Sequence, residues 1–482
     1  MNGALLDLDA VVVDPVCAVR VPAAVALRRL VLPLSVVDGA LHVAVADPAD
    51  RAALEAVRQS AGTDVVAHAA DPAQLRAHLL RIYGDGRGAA GLSGAAAPAA
   101  AADDPVALVD GILRAALLRH ASDVHFDPDA TGVRVRFRTD GELEEVRHVP
   151  AALQTSVTSR LKVMAGLDIA ERRAPQDGAF TWRAPGAAGR LPPLDVRMAT
   201  LPVRHGERVT LRLLETDGER LTLDGLGLSA ADRAVFGEVL DQPHGLVLLT
   251  GPTGSGKTTT LYAAIRLLLE RRPLNILTVE DPIEYEIPGV SQAEVDSSDH
   301  VNFTKALRSL LRHDPDVIMI GEVRDAESLD TAVKAALTGH LVLSTLHTND
   351  AVGAVTRLFD MGLEPHLAAA TLRLAVAQRL VRALCPSCRE ELAAGAGFRA
   401  RGCLACAGRG YRGRTGLFEL FRPDAGVASL IARRAPVEEI RAAARAQGMR
   451  TLVEDAAGKC RLGLTTVAEA VRATGSPIHL GA

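Results

Sequence analysis

This sequence of 482 residues has few aromatic residues, little excess of either charge and no long uncharged apolar stretch. Phe, Trp and Tyr make up 3% of the chain, so few aromatic side chains are present on which nucleic-acid bases could stack. The formal net charge is −4, so no overall basic character attracts nucleic acid or anionic lipid. The most apolar run, residues 367–384, contains three arginines. These deficits argue against a nucleic-acid-binding protein and against a transmembrane helix.

The first residues also lack the features of a signal peptide. No basic region precedes their apolar stretch, which carries Asp7 and Asp9. Hydrophobic residues make up 48% of the chain and charged residues 23%, as in ordinary soluble globular proteins. We therefore expect a cytoplasmic protein, with any membrane role coming through its partners.

Composition and periodicity divide the chain into four segments. Residues 1–85 alternate strand-like and helical runs around the hairpin signal Asp38–Gly39, which predicts an α/β module; without a catalytic cluster, a docking role is favoured. Residues 86–104 are an Ala/Gly/Pro linker, predicted to be flexible and to let the first module move. Residues 105–222, with their arginine-rich strand-like runs, are predicted to form a second domain. In residues 223–482, strands alternate with helices, which predicts a parallel α/β sheet.

The most specific motif follows a strand-like run at residues 245–250. Gly251, four residues and then Gly256-Lys257-Thr258 have the spacing of a phosphate-binding loop that opens a helix. Glycines let consecutive backbone N–H groups face a polyphosphate at the positive end of the helix dipole. Lys257 is expected to reach the β- and γ-phosphates, and Thr258 to bind Mg²⁺. The predicted nucleotide-binding residues are Gly251, Pro252, Thr253, Gly254, Ser255, Gly256, Lys257 and Thr258.

Three later strands end in polar residues, and the carboxyl ends of parallel strands gather where ligands bind. The first ends at Glu280, predicted to orient the attacking water; an acidic turn broken by Pro282 is the alternative. The second leads to Glu322, predicted to act on the Mg²⁺ side, although Gly321 separates it from the strand. His347 follows the third strand and is predicted to contact the γ-phosphate. His340, at the other end of that strand, is expected to be structural.

Two Cys-x-x-Cys pairs with fourteen residues between them predict a structural zinc site. Four thiolates close a tetrahedral site and leave no position for an activated water. Disulfides are the alternative, which a cytoplasmic chain disfavours. Cys17 and Cys460 are then expected to be free thiols. The predicted ligands are Cys385, Cys388, Cys403 and Cys406.

Arginines recur on the strands of the second domain. Alternation over residues 133–138 places three of them on one face of a strand. A solvated face is one interpretation. The other is that some of them neutralise phosphate charge across a subunit boundary, as arginine fingers do.

Together these motifs resemble the secretion ATPase superfamily, specifically the type II secretion and type IV pilus assembly ATPases. Residues 278–285 are similar to the aspartate box of that family, residues 310–325 to its Walker B region and residues 338–350 to its histidine box. Residues 164–178 and 201–208 are similar to its second domain. The similarity extends over essentially all of the sequence from Ala121 to Gly475.

The resemblance implies a RecA-like ATPase domain preceded by a smaller PAS-like α/β domain and an N-terminal docking module. It implies a homo-hexamer that binds ATP, Mg²⁺ and Zn²⁺, with nucleotide held between the second domain and the ATPase domain. Arg197 and Arg212 are nearest to the positions of the family's phosphate-facing arginines, and Arg204 and Arg208 match less well. The implied partners are an inner-membrane platform protein and a membrane anchor with a cytoplasmic domain.

Two features refine this expectation. The tetracysteine pattern favours export or pilus-extension members over retraction members, and its short spacing predicts a stunted zinc loop. The start of the first module has no convincing second-messenger motif, so regulation by cyclic-di-GMP is not predicted.

We predict a hexameric ATPase that drives pseudopilus assembly and protein export by a type II secretion system. A type IV pilus assembly ATPase is the closest alternative. A nucleic-acid translocase or helicase is the alternative of another class, disfavoured by the acidic charge and scarce aromatics. A regulatory nucleotide-binding protein without turnover is a third, disfavoured by Glu280 and Glu322. No nucleic-acid partner is expected.

Overall fold

A computed structural model describes most of the chain, namely residues 5–14, 17, 20–83, 104–185, 191–214, 222–295 and 303–480. Nearly all of the predicted linker 86–104 lies outside these residues. The chain divides into two compact units. Unit 1 comprises the described residues of Met1–Thr216 together with Leu384–Glu390 and Ala400–Arg412. Unit 2 comprises those of Asp217–Ala383, Glu391–Arg399 and Gly413–Ala482.

The first part of unit 1 is a three-stranded sheet with helices packed against it. Strands β1 and β2 are antiparallel and β2 and β3 parallel, in the order β1-β2-β3. Asp38 and Gly39 both have positive φ, 51° and 82°, as a two-residue hairpin turn between twisted strands requires. The elements are α1 (Ala23–Arg29), β1 (Val31–Val37), β2 (Ala40–Val45), α2 (Arg51–Ala61), β3 (Val65–Ala69) and α3 (Pro72–Tyr83).

The second part of unit 1 is a six-stranded antiparallel sheet in the order β6-β5-β4-β9-β8-β7. Alternation along β4 sends Val124 and Phe126 into a core shared with both helices and leaves Asp123, His125 and Asp127 on the other face. The elements are α4 (Pro105–Leu118), β4 (Ala121–Pro128), β5 (Gly132–Thr139), β6 (Glu142–Pro150), α5 (Ala151–Met164), β7 (Gln176–Trp182), β8 (Leu194–Val203) and β9 (Gly206–Leu214).

Unit 2 is built on a seven-stranded sheet in the order β12-β11-β13-β14-β10-β15-β18. The strands from β12 to β15 pair in parallel. Its first elements are α6 (Ala230–Leu240), β10 (Gly245–Thr250), α7 (Lys257–Arg271), β11 (Ile276–Glu280), β12 (Ser291–Glu294), α8 (Phe303–Leu310), β13 (Val317–Ile320), α9 (Ala326–Leu337) and β14 (Leu341–Leu346).

The remaining elements of the chain follow β14. They are α10 (Gly353–Asp360), α11 (Pro365–Thr371), β15 (Leu372–Leu384), β16 (Arg389–Glu391), β17 (Phe398–Ala400), β18 (Tyr411–Phe421), α12 (Ala425–Ala432), α13 (Val437–Ala446), α14 (Leu452–Arg461) and α15 (Val467–Thr474). Within the described ranges, no helix has both the length and the apolar character needed to cross a bilayer.

The apolar runs of unit 2 are buried on both faces of the sheet. Along β10, Leu246 and Leu248 enter one core, while Val247 and Leu249 enter the core on the opposite face. This two-sided burial is why the strand is continuously hydrophobic rather than alternating. The four strands predicted from apolar runs, β10, β11, β13 and β14, are neighbours in the sheet, so their carboxyl ends lie along one edge.

Candidate active site

The loop between β10 and α7 depends on its glycines. Gly251, Gly254 and Gly256 have φ of 148°, 77° and 88°, which side chains rarely tolerate. A Cβ on Gly251 would lie 2.5 Å from the carbonyl oxygen of Gln378, and one on Gly256 would lie 2.8 Å from Nε2 of Gln378. The loop therefore packs directly against β15, with no room for side chains at these two positions.

Among the described residues, two polar side chains of the loop form no hydrogen bond outside it. Lys257 Nζ donates to the carbonyl oxygens of Gly251 at 2.8 Å and Pro252 at 3.2 Å, and Ser255 Oγ is buried without a hydrogen-bond partner. Burial lowers the pKa of Lys257; the Glu322 carboxylate opposes that shift and the Arg379 guanidinium adds to it. Buried donors normally find acceptors. An anion supplies them, so the loop fits a polyphosphate.

Glu322 and His347 meet at the same edge of the sheet. His347 Nε2 lies 3.2 Å from Glu322 Oε2, and Arg324 forms an ion pair with Glu322 Oε1. The Thr345 hydroxyl donates to the Gly321 carbonyl oxygen at 2.8 Å, which fixes the end of β13 against β14. The predicted Walker B and histidine-box residues are therefore brought together.

The segment after His347 is anchored to the end of β10. The amide of Thr348 donates to Thr250 Oγ1 at 2.7 Å, and the two threonine hydroxyls are 2.6 Å apart. Thr258, predicted to bind Mg²⁺, lies half-buried in the first turn of α7. His340 lies at the opposite end of β14, where its Nδ1 is 3.0 Å from the Ala335 carbonyl oxygen.

Glu280 is the last residue of β11, but it is only 2% exposed, and both of its carboxylate oxygens accept hydrogen bonds. Its Oε2 accepts a hydrogen bond from the Tyr262 hydroxyl, while Oε1 accepts from Thr278 Oγ1 at 2.6 Å and from Gln292 Nε2 at 3.1 Å. Burial and the bond to Glu280 together raise the pKa of Tyr262. The predicted contact between Glu280 and an attacking water thus requires exchange of at least one of these bonds.

Arg379 on β15 is a site residue that the sequence analysis missed. Its Nη2 donates to the Asn349 carbonyl oxygen at 2.9 Å, and a Cβ on Gly251 would lie 3.1 Å from its Nη1. The guanidinium thus lies between the phosphate loop and the segment after His347. In the sequence it is one of the three arginines within the apolar run 367–384.

Several arginines of the second domain form ion pairs with acids. Arg212, 63% exposed, pairs with Asp123 at 3.3 Å and is directly opposite Arg197 in the β8–β9 register. Arg208 Nε lies 2.9 Å from Asp127 Oδ1, and Arg204 lies in the turn after β8. The three arginines of β5 also have acidic partners: Arg134 with Asp129, Arg136 with Asp127 and Arg138 with Asp123.

The four predicted metal ligands converge. Their sulfur atoms lie within 4.8 Å of one another: Cys385 to Cys403 3.9 Å, Cys388 to Cys406 3.7 Å, and Cys403 to Cys406 3.8 Å. A tetrahedron with metal–sulfur bonds of about 2.3 Å has edges of about 3.8 Å, so the donor set fits Zn²⁺. These cysteines, Cys17 and Cys460 form no disulfides.

A buried strand, a glycine loop that supplies Lys257, and acid-bearing neighbouring strands define a P-loop ATPase of RecA-like fold. Comparison with known families specifies the class further. The chain belongs to the type II/IV secretion system protein family, whose model matches residues 100–472. A second model, the MshEN domain, matches residues 3–89. Its fold and its family make the chain an ATPase.

Known relatives include both secretion and pilus proteins. The chain is 50% identical over 369 residues to the type II secretion system protein HxcR of Pseudomonas aeruginosa, covering 77% of each. It is 45% identical to the type II secretion system ATPase E of Vibrio cholerae, covering 77% of this chain and 75% of the relative. It is 40% identical to the type IV pilus assembly ATPase PilB of Myxococcus xanthus, covering 97% of this chain and 88% of the relative.

Solved structures agree with the fold. The pilus retraction motor PilT, crystallised with ADP, shares 26% identity with a TM-score of 0.55 and is matched over 97% of its length and 77% of this chain. The Legionella pneumophila ATPase DotB shares 25% identity with a TM-score of 0.58, covering 94% of its own length and 76% of this chain.

Proposed function

We propose that this protein hydrolyses ATP to drive pseudopilus assembly and protein export by a type II secretion system. One observation carries the proposal: Lys257 and the unpartnered Ser255 hydroxyl lie on the same sheet edge as the Glu322–His347 pair. That edge combines hydrogen-bond donors for phosphate oxygens with a carboxylate, and phosphoryl transfer requires both kinds of group. Similarity to relatives named as type II secretion proteins supports the choice of system.

Each residue of the site has a proposed role in this reaction. Backbone N–H groups of residues 253–258 bind the polyphosphate, and Lys257 neutralises charge on its β- and γ-phosphates. Thr258 and Glu322 would hold Mg²⁺, which supplies charge neutralisation at the phosphates when bound. His347, 3.2 Å from Glu322, contacts the γ-phosphate side. Glu280 orients the attacking water once its buried bonds have exchanged.

We further propose that the working form is a homo-hexamer in which arginines of the second domain reach the nucleotide. Arg197 and Arg212 are directly opposite each other across β8 and β9, so the register brings two positive charges close together. Arg212 is largely exposed and pairs with the carboxylate of Asp123. A polyphosphate carries more charge than Asp123 and competes for the guanidinium.

The remaining cofactor and partners are also proposals. Cys385, Cys388, Cys403 and Cys406 hold a structural Zn²⁺, supported by the sulfur spacing. The protein acts on the cytoplasmic side of the inner membrane, on a platform protein that it moves. The N-terminal module binds a membrane anchor through the anchor's cytoplasmic domain.

ATP hydrolysis by the purified full chain tests the site. Glu322→Gln is expected to lower kcat by at least about a hundredfold while ATP binding persists, because a charge that stabilises the transition state is lost. Glu327→Gln is the matched control, since Glu327 is exposed and pairs only with Arg308 among the contacts described. Equal hydrolysis by wild type and Glu322→Gln would remove Glu322 from the mechanism.

Complementation distinguishes the two secretion-related functions. In cells lacking the gene, wild type but not Glu322→Gln is expected to restore export of a type II cargo. Restoration of pilus extension without restored export would identify the pilus assembly alternative. ATP hydrolysis stimulated by DNA would instead favour the translocase alternative.

A further inference from the structure

The tetracysteine knuckle, defined here as residues 385–388 and 403–410, contacts the N-terminal module within unit 1. Leu404 packs against the hydrophobic core of that module. Gly408 approaches the edge strand β1 so closely that a Cβ on it would lie 2.6 Å from the Val36 carbonyl oxygen. The knuckle and the module are distant in sequence, so this contact is a product of the tertiary fold.

The same module is held at a second point by the second domain. Arg119, just after α4, donates to both carboxylate oxygens of Asp14 at 2.8 and 2.7 Å and to Glu144 at 3.2 Å. Burial, the largest single cause, lowers the pKa of Arg119, but the hydrogen bond and charge of Asp14 together with the charge of Glu144 outweigh it, and the pKa is raised. A mostly buried bidentate pair of this kind is geometrically specific. Leu118 also packs against the core of the module.

The knuckle is in turn placed by its cysteines. The Gly408 amide donates to the Cys403 carbonyl oxygen at 2.9 Å, and the Gly410 amide donates to Cys406 Sγ at 3.1 Å. Residues 404 and 408, which contact the N-terminal module, therefore lie in a turn whose conformation depends on Cys403 and Cys406. Without a metal, no disulfide joins these four cysteines to maintain the turn.

We propose that the knuckle is a metal-dependent latch for the N-terminal module. With its cysteines ligated, Leu404 and Gly408 hold β1; without the metal this contact is lost, and Arg119 with Leu118 remains the main attachment. The proposal rests on the metal site proposed above and not on ATP turnover. A latched module has a fixed position, whereas an unlatched one is free to bind elsewhere.

Hydrogen–deuterium exchange of the full chain tests the latch without measuring activity. Chelation with 1,10-phenanthroline is expected to speed exchange over residues 31–37 by about tenfold or more, and one equivalent of zinc sulfate restores it. Gly408→Ala is expected to do the same, because its Cβ collides with Val36. Gly413→Ala is the matched control: its φ is 72° against 77° for Gly408, and a Cβ there meets nothing within 4 Å.

The metal content of each sample makes every outcome decisive. Leu404→Ser alters no ligand, so it is expected to retain the metal and still speed exchange over β1. A Gly408→Ala protein that has lost its metal is also expected to release β1, since metal loss alone is sufficient. Unchanged exchange over residues 31–37 in the metal-free wild type and in both variants would overturn the latch. So would a wild-type chain that binds no metal.

Discussion

At the scale of single residues, two positively charged side chains from different elements lie at the phosphate loop. Lys257 belongs to the motif itself, whereas Arg379 reaches the loop from β15. Lys257 is held by two carbonyl oxygens of its own loop, whereas Arg379, close to Gly251, donates to the carbonyl oxygens of Gln378 and Asn349. Arg379 also lowers the pKa of Lys257, after burial, which is the larger cause. Substitution at either position is therefore expected to affect nucleotide binding, by different routes.

The lowered pKa of Lys257 predicts a pH dependence of ATP binding. Phosphate binds the charged ammonium, and that charge is lost as pH rises through a pKa below the ordinary lysine value. Affinity for MgATP is therefore expected to fall on the alkaline side, beginning below the pH at which an ordinary lysine titrates. Isothermal titration across an alkaline pH series measures this. An affinity that stays flat until ordinary lysines titrate would contradict the prediction.

Removal of the Arg379 charge is expected to weaken the site. Arg379→Gln loses charge-assisted bonding to the Asn349 carbonyl oxygen, worth about 1.5–3 kcal/mol, or about ten- to a hundredfold in kcat/KM for ATP. Arg379→Lys keeps the charge but cannot reach the carbonyl oxygens of both Gln378 and Asn349, so only partial recovery is expected. Arg373→Gln is the control, because Arg373 lies at the start of β15 and donates to Ala370.

Glu280 shows the limit of inference from a motif at this scale. Its position after a strand indicates a catalytic carboxylate, and the strand does end there. The structure adds three donors around it, from Tyr262, Thr278 and Gln292, and removes it from solvent. No spacing rule predicts those donors, because Gln292 and Tyr262 come from different elements.

At the scale of elements, the strand–loop–helix unit was predictable because its determinants are contiguous. Gly251 to Thr258 follow a buried strand directly, and glycine is needed where φ is positive. The polar ends of β11, β13 and β14 were also predictable, since parallel strands share one edge for their carboxyl ends. The close approach of β15 to the loop was not, because it depends on the order of strands in the sheet.

A pair of glycine substitutions separates backbone strain from steric collision. Gly251→Ala is expected to lower the thermal unfolding midpoint more than Gly254→Ala does, by the equivalent of about 1–3 kcal/mol. Both replace a glycine of positive φ, but only the Cβ at residue 251 meets Gln378 and Ser255, while that at 254 meets nothing within 4 Å. Calorimetry of the nucleotide-free proteins measures the difference. Equal midpoints would show that the loop does not press on β15.

At the scale of the whole molecule, the site is proposed to be shared between subunits. A Lys257→Ala chain keeps its arginines, and an Arg197→Ala/Arg212→Ala chain keeps its phosphate loop. If arginines act across a subunit boundary, mixed assemblies contain some intact sites, so mixing two inactive variants is expected to recover measurable ATPase activity. If hexamers shown to contain both variants recover no activity, the arginines do not act on nucleotide bound by a neighbouring subunit.

The sequence by itself determined the features whose residues are close together in the chain. These are the phosphate loop at 251–258, the paired cysteines, the carboxylates at strand ends and, through resemblance, the family. Each depends on local spacing and on the chemistry of a few side chains. Tertiary structure alone decided which distant groups meet: Arg379 at Asn349, Glu280 within its buried donors, and Gly408 against β1. Such contacts follow from packing between elements, which local spacing does not encode.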